Sequence, residues 1–221
     1  ANLRNGLGDG PNTVVTLPVG NGIPAVVLTL PRRNHGPVIA DLGGGRVLSV
    51  QYTGFGGTRE LETFRLLNRA RNLQEFRTAL QYFDVGSQNF VYGDVAGNIA
   101  YFTTSEVPLR EDLQAGTVHG APPWFVRDGQ GGNEWLRDPN PDAFNGSGYL
   151  SLPFAELPQT VNPRNGFVVN ANNDTGGMTL DNDPLNQLRV GGSGLYYLGY
   201  TFNPGQRAGR ITQEIRDRLA Q

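Results

Sequence analysis

The chain has 221 residues, is 38% hydrophobic and 17% charged, and carries a net charge of −2. That balance gives no broad electrostatic pull toward nucleic acid or an anionic membrane. Cysteine is absent and all 18 basic residues are arginine, which excludes thiol nucleophiles, thiolate metal sites, disulfides and any catalytic lysine.

The 31 Gly and 15 Pro favour a turn-rich, strand-heavy protein over a helical bundle. No stretch approaches the ~18 apolar residues of a membrane span, and no signal peptide is visible. Ala1-Asn2-Leu3-Arg4 is not a Met-initiated beginning. The sequence is therefore expected to be processed, or to be a piece of a longer chain.

Residues 1–12, rich in Gly and Asn, read as a lead-in. Strands are predicted at 13–17 and 25–30, with Gly20-Asn21-Gly22 as the hairpin turn. A Gly43-Gly44-Gly45 turn precedes a strand at 46–52. The period then changes. Leu61, Phe64, Leu66 and Leu67 recur at helical spacing over 60–70. Asn72, followed three residues on by Glu75, reads as the cap of a second helix that faces inward with Leu73, Phe76, Ala79, Leu80 and Phe83. Strands return at 88–93 and 98–103, joined through Asp94 to Gly97.

Residues 106–158 read as a long loop or insertion, carrying Trp124, Trp135 and His119. The tryptophans suit an acyl pocket or, more simply, anchor the loop. His119 has no partner in sequence. Phe167-Val168-Val169 reads as a short buried strand. Residues 208–219 close the chain as an amphipathic helix with Ile211, Ile215 and Leu219 on one stripe. The order of strands, two helices, strands and a helix is α+β, taken as a single domain over 1–221.

The 167–169 run ends in Asn170-Ala171-Asn172-Asn173-Asp174. Amides at a buried strand end are costly unless bonded. They are either turn formers or donors aimed at a ligand, and composition leaves both open.

Three blocks, in order, carry a resemblance. The first is Arg33-Asn34-His35-Gly36-Pro37-Val38-Ile39. The second is Gln88-Asn89-Phe90-Val91-Tyr92-Gly93-Asp94-Val95-Ala96-Gly97-Asn98-Ile99-Ala100-Tyr101, followed by Pro108-Leu109-Arg110. The third is Asn162-Pro163, then Gly166 through Asn173, then Arg207-Ala208-Gly209-Arg210-Ile211. Together they resemble the penicillin acylase (penicillin amidase) family of N-terminal nucleophile (Ntn) hydrolases over roughly residues 25–215. Gly93 and Ala100 stand where that family usually has Ala and Gly.

The resemblance implies an αββα sandwich fold and hydrolysis of a linear amide, as in the acyl side chain of penicillin-like or other N-acyl substrates. Family members are precursors that cut themselves in two. The new first residue of the large chain is a Ser, typically in Ser-Asn-x-Trp. It acts as nucleophile with its own α-amine as base. This chain matches an inner segment of that large (β) chain and lacks such a Ser, so alone it is expected to be inactive. Its implied partners are the small chain, the Ser-bearing part of the same precursor and a small N-acyl substrate. The implied location is periplasmic or extracellular.

On this resemblance Asn172 is the side-chain donor to the oxyanion, and Asn173 is structural. Arg210 matches an arginine near the nucleophile, suited to orient Asn172 or to hold down the pKa of the α-amine. His35 is read as a structural hydrogen-bonding residue, and Tyr92 and Asp94 as hairpin and core residues. The best-known relatives place a calcium-binding carboxylate past the Asn pair, where Asp181 and Asp183 stand, although the rest of the calcium loop does not match. The alternative reading is a non-catalytic, strand-rich binding or structural domain in which the Asn pair is only a turn.

Overall fold

The computed structural model describes residues 12–17, 26–33, 36–140 and 148–221, the first two stretches as backbone only. The expected lead-in up to residue 11, the turn at 20–22 and His35 lie outside the described residues. Two compact units are present, Ala1–Phe55 and Gly56–Gln221, where the sequence pattern suggests one domain.

In the first unit β1 (Asn12–Leu17), β2 (Val26–Arg33), β3 (Gly36–Gly43) and β4 (Arg46–Ser49) form an antiparallel sheet in chain order. Gly36 has φ +92°, and a Cβ there would sit 2.3 Å from the Val50 carbonyl oxygen. Only glycine fits both the backbone angle and the approach. Directly after it, the Val50 N–H donates to the Pro37 carbonyl at 3.1 Å and extends the pairing past β4.

The second unit holds α1 (Glu60–Leu67), α2 (Leu73–Leu80), β5 (Gln88–Gly93), β6 (Ile99–Thr104), the short α3 (Glu111–Gln114), β7 (Gln159–Val161) and α4 (Gln206–Leu219). Strands β5, β6 and β7 pair antiparallel in that order. The start of α2 is set by a reciprocal cap. The Asn72 side chain accepts from the Glu75 N–H at 2.9 Å, and the Glu75 carboxylate accepts from the Arg71 N–H at 2.9 Å. Leu80, Ala100 and Phe102 are fully buried, with Phe76, Phe90, Tyr92 and Phe154 packed around them. The β5–β6 turn closes on Asp94, whose carboxylate accepts the N–H groups of Ala96 and Asn98 at 2.9 Å.

The α1 stripe differs from its periodicity. Leu61 is 85% exposed, whereas Thr63 is fully buried. Polar ties fix the rotation of this helix. The Arg59 N–H and guanidinium bind the buried Asp84, and Glu60 accepts the Val85 N–H at 2.6 Å.

The expected strand at 167–169 is also absent. Those residues are half-buried and enter no ladder, and the third strand is Gln159–Val161 instead. A β-branched run becomes a strand only where a neighbour supplies hydrogen bonds. Residues 106–140 and 148–158 hold more backbone pairing than the expected loop. Leu109 and Leu136, Leu136 and Leu150, and Leu152 and Val107 are joined by backbone bonds of 2.7–2.8 Å. Among the described residues no helix is long and apolar enough to cross a membrane.

Candidate functional site

On one face of the β5–β6 hairpin lies a cavity of about 380 Å³. Asn89 and Thr103 line it from the strands, Ser105 to Pro108 and Arg110 from the chain after β6, Asn172 and Asn173 from the polar segment, and Tyr197 and Phe202 from the last loop. The strand side is cross-linked around Tyr101. Its hydroxyl lies 2.6 Å from Asn89 Oδ1 and 2.8 Å from Thr103 Oγ1, and it accepts from the Asn170 amide at 3.3 Å.

The polar segment is a chain of side-chain-closed turns, as its amides allow. Asn173 Oδ1 accepts from the Ala171 N–H at 3.1 Å, and Asn170 Oδ1 from the Asn172 N–H at 3.3 Å. Asp174 accepts from the Thr179 N–H at 2.7 Å and from its hydroxyl at 2.8 Å. Burial raises the pKa of that carboxyl, but these bonds outweigh it and hold Asp174 below the usual carboxylate range.

Asn172 stands apart. Its backbone is left-handed, with φ +60°, a conformation Asn tolerates better than most residues. Its carbonyl accepts from the Asn203 N–H at 2.7 Å. Its side-chain Oδ1 accepts from Arg207 Nη1 at 3.3 Å, and the same Nη1 reaches the Ala171 carbonyl at 3.3 Å. With Oδ1 taken by a cation, the amide is oriented and Nδ2 is left as the outward donor. Among the described residues Nδ2 meets no acceptor.

Glu106, also on the cavity wall, accepts from the Tyr149 hydroxyl at 2.5 Å. Burial pushes its carboxyl above the ordinary value of 4.5, and the charge of Asp84 adds to this against the Tyr149 bond. Such a group stabilises the fold below its unfolded pKa, and that contribution is lost as pH rises through the raised, folded one. Glu106→Gln should therefore flatten the fall in stability above about pH 4.5, seen in urea melts from about pH 4 to about pH 8. An unchanged profile would refute the assignment.

The penicillin amidase family model matches residues 11–221. The chain belongs to that family. The fold of this penicillin amidase family chain is similar to that of a thermostable penicillin G acylase from Alcaligenes faecalis in orthorhombic form. The TM-score is 0.54 at 23% sequence identity, over 91% of this chain and 31% of that one. The chain thus spans about a third of the length of the acylase chain it resembles.

Within this family member the residues singled out from sequence separate. Asn172 and Asn173 line the cavity. Arg210 does not reach Asn172. It pairs with Glu214 one turn along α4, with its side chain 74% exposed, and Arg207 makes the contact instead. Both arginines belong to the third sequence block, but nothing in their spacing says which one faces the amide. Asp181 accepts from the Asp183 N–H at 3.1 Å and from Asn186 at 2.5 Å, and Asp183 accepts from the Leu185 N–H at 3.0 Å. Their oxygens close a turn. Calcium takes six to eight oxygens, and no group of three acidic or histidine side chains assembles among the described residues.

Trp124 stacks on Tyr200 with ring centroids 5.1 Å apart, and Trp135 meets the Tyr149 ring edge-on at 4.8 Å. Neither lines the cavity, so both anchor loops. The His119 backbone N–H donates to Asp112 at 2.9 Å. Arg110 closes the second sequence block with no role assigned to it there, and Tyr197 lies outside all three blocks. Only the packing of the last loop against the chain after β6 brings them to the cavity.

Proposed function

We propose that this chain is the segment of an Ntn-type amidohydrolase that supplies the oxyanion donor. The reaction is hydrolysis of a linear amide in a penicillin-like or other N-acyl substrate. The observation behind this reading is Asn172: a cavity-lining amide whose Oδ1 is engaged by Arg207 and whose Nδ2 has no acceptor among the described residues. A nucleophile adding to the amide carbonyl places negative charge on its oxygen. A neutral N–H donor held in advance stabilises that charge without reorganising in the transition state. Collapse of the adduct expels the amine, and water then releases the acyl group from the nucleophile.

The nucleophile in this reading is a Ser at the start of the processed large chain, in the part of the precursor beyond this segment. The small chain is the other partner, the fold is completed as an αββα sandwich, and the enzyme is exported. Arg207 takes the orienting role. Arg210, solvent-facing on α4, keeps the second role, lowering the pKa of the nucleophile's α-amine through like charge.

The test is made on the complete protein. Intact-mass and N-terminal sequencing should find a chain that begins with Ser, labelled once by phenylmethylsulfonyl fluoride. Phenylacetyl-p-nitroanilide should release p-nitroaniline, while the 221-residue chain alone should release none. Absence of both the new Ser terminus and the hydrolysis would sink the reading in favour of a non-catalytic module.

A further inference from the structure

Three hydrogen bonds hold Asn172 among the described residues, and they lead to different parts of the second unit. Arg207 on α4 holds Oδ1, and the last loop holds the carbonyl through the Asn203 N–H. The third bond, from the Asn172 N–H to Asn170 Oδ1, leads back to the sheet. The other end of the Asn170 amide, Nδ2, donates to the Tyr101 hydroxyl at 3.3 Å. Tyr101 sits on the central strand β6, opposite Val91 of β5 and Thr160 of β7, and is 6% exposed. Its neighbours Ala100 and Phe102 belong to the fully buried cluster.

Proton count fixes the direction of each bond along this line. Asn89 Oδ1 has no proton to give, so the phenol proton of Tyr101 goes there, at 2.6 Å. The Tyr101 oxygen is left to accept. A side-chain amide carries its oxygen and its nitrogen on opposite arms of one plane. With Nδ2 on Tyr101, Asn170 Oδ1 faces the Asn172 N–H. Turned over, the amide would set oxygen against the phenol oxygen and N–H against N–H, and both bonds would be lost. The phenol oxygen thus decides which way Asn170 faces, and Asn170 closes the turn that holds Asn172 at φ +60°. Asn172 itself is exposed and enters no ladder. The tie from Arg207 comes from a helix that buries none of its residues, whereas the tie through Asn170 comes from the centre of the sheet.

We propose that Tyr101 is a positioning residue for the Asn172 donor, acting through the Asn170 amide. The proposal rests on the amidohydrolase reading, because it gives the Asn172 amide an oxyanion to meet. Arg207 sets the rotation of the side chain, and the Tyr101–Asn170 line sets the backbone that carries it.

Tyr101→Phe tests this in the complete protein, since it keeps the ring and removes the oxygen. With phenylacetyl-p-nitroanilide, kcat should fall about 3- to 10-fold at little-changed KM, the range of one neutral hydrogen bond. In an Asn172→Gly background the same substitution should change kcat by less than about two-fold, because no donor is left to position. Asn170→Ala, at a half-buried position outside the sheet, repeats the test without touching β6. It should lower kcat at least as much, and adding Tyr101→Phe to it should cost nothing further. Thermal melts confirm that the variants are folded.

Amide hydrogen exchange, read at residue resolution by mass spectrometry, follows the same line without catalysis. In Tyr101→Phe the Asn172 N–H should exchange about 3- to 10-fold faster, with the Phe102 N–H in β6 unchanged. Faster exchange at Asn172 in a protein that hydrolyses no amide would overturn the amidohydrolase reading alone. An Asn172 N–H that exchanges at the parent rate would overturn the role of Tyr101. So would a kcat held within about two-fold in both single variants, or an equal loss in the Asn172→Gly background.

Discussion

Asn172→Gly should lower kcat on any hydrolysed amide by about 10²–10³ with little change in KM, the loss that follows removal of one oxyanion donor. The choice of glycine matters. Asn172 sits at φ +60°, where glycine is at ease and alanine is strained by roughly 1–2 kcal/mol. Asn172→Ala should thus lose the same factor in kcat and also melt earlier. The pair separates the missing donor from the strained backbone. Steady-state kinetics on the complete enzyme, with a melting curve for each variant, makes the comparison. If both variants kept kcat within a few-fold, Asn172 would be a turn residue only. A shared loss in kcat with different melting temperatures assigns the effect to the amide.

The largest stability effect is expected at Asp84. The side chain is 3% exposed and accepts four hydrogen bonds from Arg59: the main-chain N–H at 2.7 Å, Nε at 2.9 and 3.1 Å, and Nη2 at 2.7 Å. The bonds tie the entry of α1 to the chain that leaves α2. Asp84→Ala removes all four and strips the largely buried guanidinium of this partner. Breaking a buried pair from one side costs about 3–5 kcal/mol. Domains are stable by only ~5–15 kcal/mol, so the variant should sit near the edge of folding. Urea denaturation gives the number. Replacing both residues, as in Arg59→Met with Asp84→Leu, should recover much of it, because no charge is then left behind. A loss below about 1 kcal/mol for Asp84→Ala would show the pair to be dispensable.

Much of the fold can be read from local chemistry. Asn72 and Glu75 announce the start of α2, and they cap it reciprocally in the structure. Asp94 and Gly97 announce the hairpin, and the Asp94 carboxylate closes it. Such signals are legible because donor and acceptor lie within a few residues of each other. What could not be read depends on distant partners. Phe167 to Val169 have strand composition and no strand to pair with. Leu61 has helical spacing, but Asp84, far along the chain, turns α1 so that Leu61 faces out. Asn172 was visible through a family resemblance. Arg207 was not distinguishable from Arg210, because three residues on one helix face similar directions and only coordinates decide which reaches the amide.

That contact also sets how durable the site is. Helix α4 has 14 residues and buries none of them, and Ile211 and Leu219 on its apolar stripe are 39% and 68% exposed. Ile215, between them on the stripe, is half-buried, and a helix of this length with so little packing is marginal in water. It can open by itself, at a free energy far below that of the Leu80–Ala100–Phe102 cluster. Each opening releases Arg207 from Oδ1 and lets the Asn172 amide rotate. In the oxyanion-donor reading proposed above, whatever covers the stripe of α4 therefore controls the fraction of time the Asn172 amide is held in place, with the Leu80–Ala100–Phe102 cluster still folded.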